Sequence, residues 1–277
     1  TPSRIYDIHA ASEGGYYLVG SASGEFNNEK SLSSDPYYNT NSLIAYVNNA
    51  GNLIWSRFNG GVDQYRENVA IDLDSNNNVY ILTNADDGVF LEKINSSGKS
   101  SLFEYKILSG NYSKANDIVI DSEDNLFTVG QFGRSSSQGF LSRYDINGNH
   151  IWTKEPIAEG PNVITKVYVN DENNQLYIIS NPNTISNSSW LISSYDKSGE
   201  LIFSKEFDPN LFLDFRVPNY RINDLLFSYK ANILTLCGGS TSDDSIGFIA
   251  SLSYSGEVLS VVETDSEVVD IIDEIQE

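Results

Sequence analysis

The chain has no methionine, one cysteine, two histidines and only seven prolines among its 277 residues. The single cysteine, Cys237, excludes an intrachain disulfide and a cysteine-ligated metal cluster, and its apolar surroundings predict a buried side chain. No apolar run approaches the roughly 20 residues that a membrane-spanning helix needs, so we expect no membrane insertion. Because methionine is absent and the sequence begins at Thr1, we expect it to be part of a longer chain.

Positive charge is also scarce. The 17 Lys and Arg residues stand against 38 Asp and Glu residues, which gives a net charge of −21 and a pI of about 4.3. A nucleic-acid partner is therefore strongly disfavoured, because neutralising phosphates requires a basic patch. The excess of carboxylates keeps a strand-rich protein soluble, and it also suits a saline or calcium-rich exterior in which cations offset the repulsion.

A glycine in a hairpin signal marks an internal repeat. It recurs at intervals of 47, 50, 51 and 57 residues. Eight residues before each glycine stands a large apolar residue, and four or five residues after it stands Trp, Phe or Val. One supersecondary unit is thus copied five times. The five glycines are Gly51, Gly98, Gly148, Gly199 and Gly256.

Each unit has the pattern of four short strands joined by turns, and four antiparallel strands every ~40–50 residues are typical of propeller blades. The sequence therefore predicts an all-β fold, a five-bladed β-propeller of four-stranded antiparallel blades. We expect a single domain over 1–277, with repeats at about 5–61, 69–108, 117–155, 167–207 and 225–262. An acidic tail follows at 263–277, and a count of six blades would require this tail to begin another blade.

The third repeat carries the motif residues Asp121-Ser122, Asn125, Phe127, Gly130, Phe140, Asp145, Gly148 and Trp152. In these positions the units resemble the bacterial β-propeller repeat of large secreted and cell-surface proteins. The fifth repeat departs most, because it lacks the Trp and the Asp-Ser turn. The resemblance implies an extracellular or cell-surface location and supplies no catalytic residues.

Long, varied connections gather at one end of the predicted strands. They join the second strand of a unit to the third, or one unit to the next, so this end is the candidate binding face. Arginine and aromatic residues are the usual anchors of an interface. The predicted ligand-binding residues are Tyr65, Arg66, Tyr112, Phe132, Arg134, Arg216, Tyr220 and Arg221. The alternative is that the arginines pair with neighbouring acids such as Glu67.

Oxygen-bearing side chains fill the turns between first and second strands. Asp72, Asp74 and Asn76 alternate as Ca²⁺ ligands do, so they are the candidate metal site, and calcium is the one cofactor considered. Turn chemistry explains the same residues without metal. No catalytic residues are assigned. The acids Asp7, Asp117 and Asp224 open first strands, where we expect them to accept main-chain N–H bonds from the neighbouring blade.

We interpret the chain as a non-catalytic extracellular recognition or adhesion module that binds a glycan or a partner protein through its loop-rich face. The first alternative is a carbohydrate-active hydrolase or lyase with carboxylates near the propeller axis. The second alternative is a structural spacer of a large adhesin.

Overall fold

A computed structural model describes residues 4–22, 25–26, 29–30, 41–59, 65–110, 112–133, 138–155, 162–182, 190–207, 220–228, 233–240 and 246–265. Every regular element in these ranges is a β-strand, which confirms the all-β prediction. Within the same ranges, no helix is long and apolar enough to span a membrane. The contacts divide the chain into two compact units, residues 1–174 and 175–277.

Twenty of the strands form five four-stranded sheets, one for each predicted repeat, with the strands in chain order. Sheet I contains β1 (Arg4–Ala10), β2 (Tyr16–Ala22), β5 (Asn41–Val47) and β6 (Leu53–Asn59); the two-residue strands β3 (Glu25–Phe26) and β4 (Glu29–Lys30) pair with each other. Sheet II contains β7 (Arg66–Leu73), β8 (Val79–Ala85), β9 (Gly88–Ile94) and β10 (Ser101–Ser109). Sheet III contains β11 (Lys114–Ile120), β12 (Leu126–Phe132), β13 (Gln138–Tyr144) and β14 (His150–Lys154).

Sheet IV contains β15 (Asn162–Asn170), β16 (Gln175–Pro182), β17 (Trp190–Asp196) and β18 (Leu201–Phe207). Sheet V contains β19 (Tyr220–Ser228), β20 (Ile233–Ser240), β21 (Ile246–Ser253) and β22 (Val258–Asp265). The last strand therefore extends three residues into the segment that the sequence assigns to the acidic tail.

The hairpin glycines have the backbone that the repeat predicts. All five lie in the left-handed region, with φ between +71° and +85°. Gly98 also has no room for a side chain, because an added Cβ would lie 2.6 Å from the ring of Trp55 in the preceding sheet. The glycine thus serves both the turn and the packing of one sheet on the next.

Apolar side chains from facing sheets form the core. One cluster joins Tyr17, Val19 and Ile44 of sheet I to residues of sheet II, among them Ile71 and Ile81. A second cluster joins sheet II to sheet III. Because sheet II packs on sheet I with one face and on sheet III with the other, its inner strands β8 and β9 carry nearly continuous apolar runs.

A bulge interrupts the first strand of sheets I, II, III and V at the same place. In β1 the extra residue is Tyr6, which lies between the paired residues Ile5 and Asp7. Such a bulge bends the strand and turns the side chain of the extra residue away from the regular alternation. In sheet I the extra residue, Tyr6, lies directly after the Ile5–Gly20 pair, two residues from the start of β1.

Three carboxylates join the first strands of successive sheets. A first strand is an edge of its sheet, so its outward N–H groups need acceptors from elsewhere. The bonds run from Ile71 N to Asp7 Oδ2 (3.0 Å), from Ile120 N to Asp72 Oδ2 (2.6 Å) and from Val167 N to Asp117 Oδ2 (3.0 Å). The predicted structural role of Asp7 and Asp117 is therefore confirmed. The side chain of Asp224 lies outside the described residues.

Candidate ligand-binding face

The loop-rich face of residues 1–174 is the end of sheets I to III at which the second strand leads to the third and the chain passes to the next sheet. Four predicted ligand residues have described side chains there: Tyr65, Arg66, Tyr112 and Phe132. Tyr220 and Arg221 lie on β19, but their side chains are outside the described residues, as are Arg134 and Arg216 altogether. The structure differs from the prediction in one respect, because β8 and β9 are joined by a tight turn at Asp86 and Asp87.

Tyr65 belongs to a cluster around the carboxylate of Glu67. Its hydroxyl donates a hydrogen bond of 2.6 Å to Glu67 Oε2. The side chains of Glu67, Ser21 and Arg4 lie close enough to the Tyr6 hydroxyl to shift its pKa. Burial and the neighbouring carboxylate raise the pKa of both tyrosines, so both hydroxyls stay protonated as donors near neutral pH.

The Glu67 carboxylate is stabilised by the hydrogen bond from Tyr65 and not by an ion pair. Among the described residues, no Lys or Arg lies within ion-pair distance of Glu67, and no acid lies within that distance of Arg4. Arg4 and Tyr6 are exposed, and Tyr65 and Glu67 are half-buried. Tyr65 and Glu67 therefore present a phenol ring and a partly buried carboxylate on this face.

Arg66 is bound within sheet II. Its guanidinium forms an ion pair with Glu104 and lies 4.3 Å from the centre of the Phe90 ring. Lys106 lies 5.2 Å from the same ring centre and pairs with Asp87. These contacts match the alternative in which the arginine pairs with an acid, although its partner is Glu104 and not Glu67.

The two remaining aromatic residues differ in exposure. Tyr112 is 47% exposed, in the connection from sheet II to sheet III. Phe132 packs on Phe140, with 4.9 Å between ring centres, and so extends the core between sheets II and III. Of the described candidates, Tyr65 and Tyr112 are the ones whose positions suit contact with a ligand.

The candidate calcium ligands are engaged in protein contacts. Asp74 Oδ1 accepts the N–H groups of Asn76 (3.0 Å) and Asn78 (2.8 Å), and its Oδ2 lies 2.9 Å from Lys93 Nζ. Burial raises the pKa of Asp74, but Asn78 and Lys93 outweigh it and hold that pKa below its usual range. Asp72 binds between sheets, as described above. Among the described residues no group of three or more His, Cys, Asp or Glu could hold a metal ion, so calcium stays a prediction of the sequence.

His9 and Asp72 form an ion pair between β1 and β7. His9 Nε2 lies 2.8 Å from Asp72 Oδ1, and His9 Nδ1 lies 2.8 Å from the carbonyl oxygen of Ala10. A carbonyl oxygen only accepts, so Nδ1 carries a proton, and the carboxylate favours a second proton on Nε2. Burial lowers the pKa of His9, but Asp72 and the carbonyl outweigh it and raise the pKa above its ordinary value.

Sequence reasoning missed Tyr6 and the role of Glu67. In the sequence, Tyr6 occupies an ordinary alternating position of a strand. The bulge at this position has no signature in the amino-acid composition. The repeat does contain a signal that distinguishes Glu67 from the equivalent residues of other sheets. The residue two before the bulge is basic in sheets I, III and V (Arg4, Lys114 and Arg221), and it is acidic in sheet II.

No protein-family model and no curated protein sequence matches the chain. Solved structures do match. The Pseudomonas aeruginosa periplasmic gluconolactonase PpgL has a TM-score of 0.60 at 10% identity, over 94% of this chain and 70% of that chain. A Lactobacillus plantarum protein has a TM-score of 0.55 at 11% identity, over 93% and 84% of the two chains. The fold is a β-propeller.

A third match is the dihydro-heme d1 dehydrogenase NirN in complex with DHE, with a TM-score of 0.54 at 11% identity. The match covers 96% of this chain and 48% of that one, so the chain spans about half the length of NirN. At these identities the likeness establishes the propeller fold alone. The sheets described above are its blades.

Proposed function

We propose that this propeller is a non-catalytic recognition module of a secreted or cell-surface bacterial protein, and that its loop-rich face binds a glycan. The observation that carries the proposal is the pair of Tyr65 and Glu67, joined by a hydrogen bond of 2.6 Å, on the same face as the exposed ring of Tyr6. It combines exposed aromatic surface with hydroxyl donors and a carboxylate acceptor. Sugars are bound by this combination, because ring faces stack on aromatic side chains while hydroxyls exchange hydrogen bonds with polar groups.

The scaffold supports this role through rigidity. The strands that carry the cluster are joined by carboxylate-to-backbone bonds, so the side chains are ordered before a ligand arrives. Binding then costs little conformational entropy. The resemblance to repeats of large secreted and cell-surface proteins supports the proposed location and the proposed role in adhesion.

A glycan array tests the proposal with matched tyrosine variants. Tyr112→Ala removes an exposed ring from the loop-rich face, and Tyr16→Ala removes a similarly exposed ring from the opposite end of sheet I; the two are 47% and 44% exposed. We expect the array signal to fall by about tenfold for Tyr112→Ala and to stay unchanged for Tyr16→Ala. Equal losses, or no glycan bound by the parent protein, would contradict the proposal. Capture of a protein through the same face would point to a partner protein instead.

The hydrolase alternative rests on one observation, the raised pKa of Asp7. Burial raises it, as a general acid in a glycosidase requires. Against this, Asp7 Oδ1 accepts the N–H of Ile8 at 2.9 Å and Oδ2 accepts that of Ile71. Release of reducing sugar from a polysaccharide, abolished by Asp7→Asn in a folded protein, would establish the enzyme.

A further inference from the structure

The contact between β1 and β7 depends on two bonds. Ile71 N on β7 donates to Asp7 Oδ2 on β1 at 3.0 Å. Two residues further along β1, His9 Nε2 lies 2.8 Å from Asp72 Oδ1 on β7, while His9 Nδ1 lies 2.8 Å from the carbonyl oxygen of Ala10. Both ring nitrogens of His9 therefore face oxygen atoms that accept hydrogen bonds, and only the imidazolium can donate to both.

Loss of one proton breaks this arrangement. A neutral imidazole has a single N–H, which can serve either the carbonyl oxygen of Ala10 or the carboxylate of Asp72. The other nitrogen then places its lone pair against an oxygen atom 2.8 Å away. His9 therefore holds β1 on β7 with both contacts intact only in its charged form.

The internal repeat sets this contact apart from the scaffold. Counted from the bulge of the first strand, the residue of sheet III that is equivalent to His9 is Val119, which cannot titrate. At the junction of sheets II and III, Asp72 Oδ2 accepts the main-chain N–H of Ile120 at 2.6 Å, and this donor keeps its proton. Bonds from a carboxylate to the main chain thus recur between sheets, whereas the imidazole is added at the first junction.

We propose that His9 is a pH-sensitive latch that holds the first strand of sheet I on the first strand of sheet II when its ring is protonated, and releases it when the ring is neutral. The outer part of the same junction is joined separately, because Arg57 on β6 forms an ion pair with Glu92 on β9. Opening of the latch is therefore local to β1 and leaves the two sheets joined.

The groups around His9 fix the direction of the response. Of the described strands, β2 and β7 pack on β1. β2 carries no Asp, Glu, Lys, Arg or His, and its Tyr17 pairs with His9 in register and stays protonated because burial raises its pKa. β7 contributes Asp72, and Asp7 on β1 adds a second negative charge. Burial lowers the pKa of His9, but these partners outweigh it and raise the pKa above 6.5, so the latch opens as the pH rises through the raised value.

The latch lies on the two strands that carry candidate ligand residues. β1 carries Tyr6 three residues before His9, and β7 carries Glu67, which accepts a bond of 2.6 Å from Tyr65, five residues before Asp72. Release of β1 therefore changes the spacing between the exposed ring of Tyr6 and the pair of Tyr65 and Glu67. The latch works without any ligand, so its test is independent of the proposed glycan function.

Amide hydrogen exchange of the whole chain tests the latch. It is followed by NMR at about pH 6 and about pH 9, and each rate is divided by the intrinsic exchange rate at that pH. The amides of Ile71 and Val167 are matched probes, because each donates at 3.0 Å to an Asp of the preceding first strand. We expect the protection of Ile71 to fall about fivefold at the higher pH and that of Val167 to change by less than about twofold.

Variants of the two histidines separate charge from shape. In His9→Gln the protection of Ile71 should be equal at both pH values, because Gln does not titrate. In His9→Arg it should also be equal at both, and about fivefold higher than in His9→Gln, because the charge is kept. His150→Gln, which removes the other histidine on an outer strand of sheet III, should respond to pH as the parent does. Constant protection of Ile71 in the parent, a fall shared with Val167, or a fall that persists in His9→Gln would overturn the latch.

Discussion

Glu92 on β9 joins sheet II to sheet I through a buried hydrogen-bond network. The residue is 4% exposed, and its carboxylate accepts hydrogen bonds from Arg57 Nη2 at 2.5 Å and from Asn59 Nδ2. Arg57 Nε donates to Asn59 Oδ1 at 2.7 Å, so the three side chains hold one another. The network therefore tests how strongly neighbouring blades depend on each other.

The two charged partners differ in their access to water. The side chain of Glu92 is 6% exposed and that of Arg57 is 26% exposed. Arg57→Met leaves a buried carboxylate with only one amide donor, and an uncompensated buried charge costs about 3 kcal/mol. Glu92→Met leaves a guanidinium that water can reach and one amide without its acceptor, at a cost of about 1–2 kcal/mol.

Urea denaturation of the two single variants and the double variant measures these differences. We expect Arg57→Met to lose most stability, Glu92→Met to lose less, and the double variant to be more stable than Arg57→Met alone, because the unpaired carboxylate is then gone. In melting temperature, Arg57→Met should lose roughly 6–12 °C. Additive losses in the double variant, or a larger loss for Glu92→Met than for Arg57→Met, would refute the reasoning.

Three further predictions concern stability. The pKa of His9 is raised in the folded protein, so its bond to Asp72 contributes its full stabilisation below pH 6.5, the ordinary pKa of histidine. This stabilisation is lost as the pH rises through the raised pKa. His9→Gln should therefore flatten that part of the plot of unfolding free energy against pH. Gly98→Ala should cost about 2 kcal/mol more than Gly51→Ala by urea denaturation, because both glycines have positive φ but only Gly98 would bring a Cβ onto Trp55. Millimolar calcium should leave the melting temperature unchanged, because a lysine ammonium already binds the carboxylate of the candidate turn. A rise of several degrees would instead support the calcium site that the sequence predicts.

The repeat made the fold predictable. A hairpin glycine with a left-handed backbone and fixed apolar positions around it identify the same unit five times, and a four-stranded unit at that period predicts a propeller blade. Strand ends were less predictable. β5 begins at Asn41 and β22 ends at Asp265, beyond the apolar residues from which the strands were inferred, because main-chain pairing continues past the apolar core.

The candidate face was predictable only in part. Tyr65 could be found because an aromatic residue in a long connection has no core to fill. Arg66 has the same sequence signature, yet its guanidinium lies on Phe90, which is 24 residues away along the chain. Sequence spacing does not show which long side chains will contact an aromatic ring and an acid on neighbouring strands of the same sheet. A prediction from composition alone therefore assigns such an arginine to ligand binding when its guanidinium is already engaged.

Repetition itself separates scaffold from site in this chain. Asp7 and Asp117 occupy one blade position, and both accept a main-chain N–H from the edge strand of the next sheet; sheet II carries Ala70 there and makes the same kind of bond through Asp72. Glu67 occupies a position where sheets I, III and V carry a basic residue, and it accepts a hydrogen bond from the Tyr65 hydroxyl. A scaffold demand common to all blades cannot account for a difference in one blade. Glu67 is therefore a residue whose substitution should change binding more than the fold.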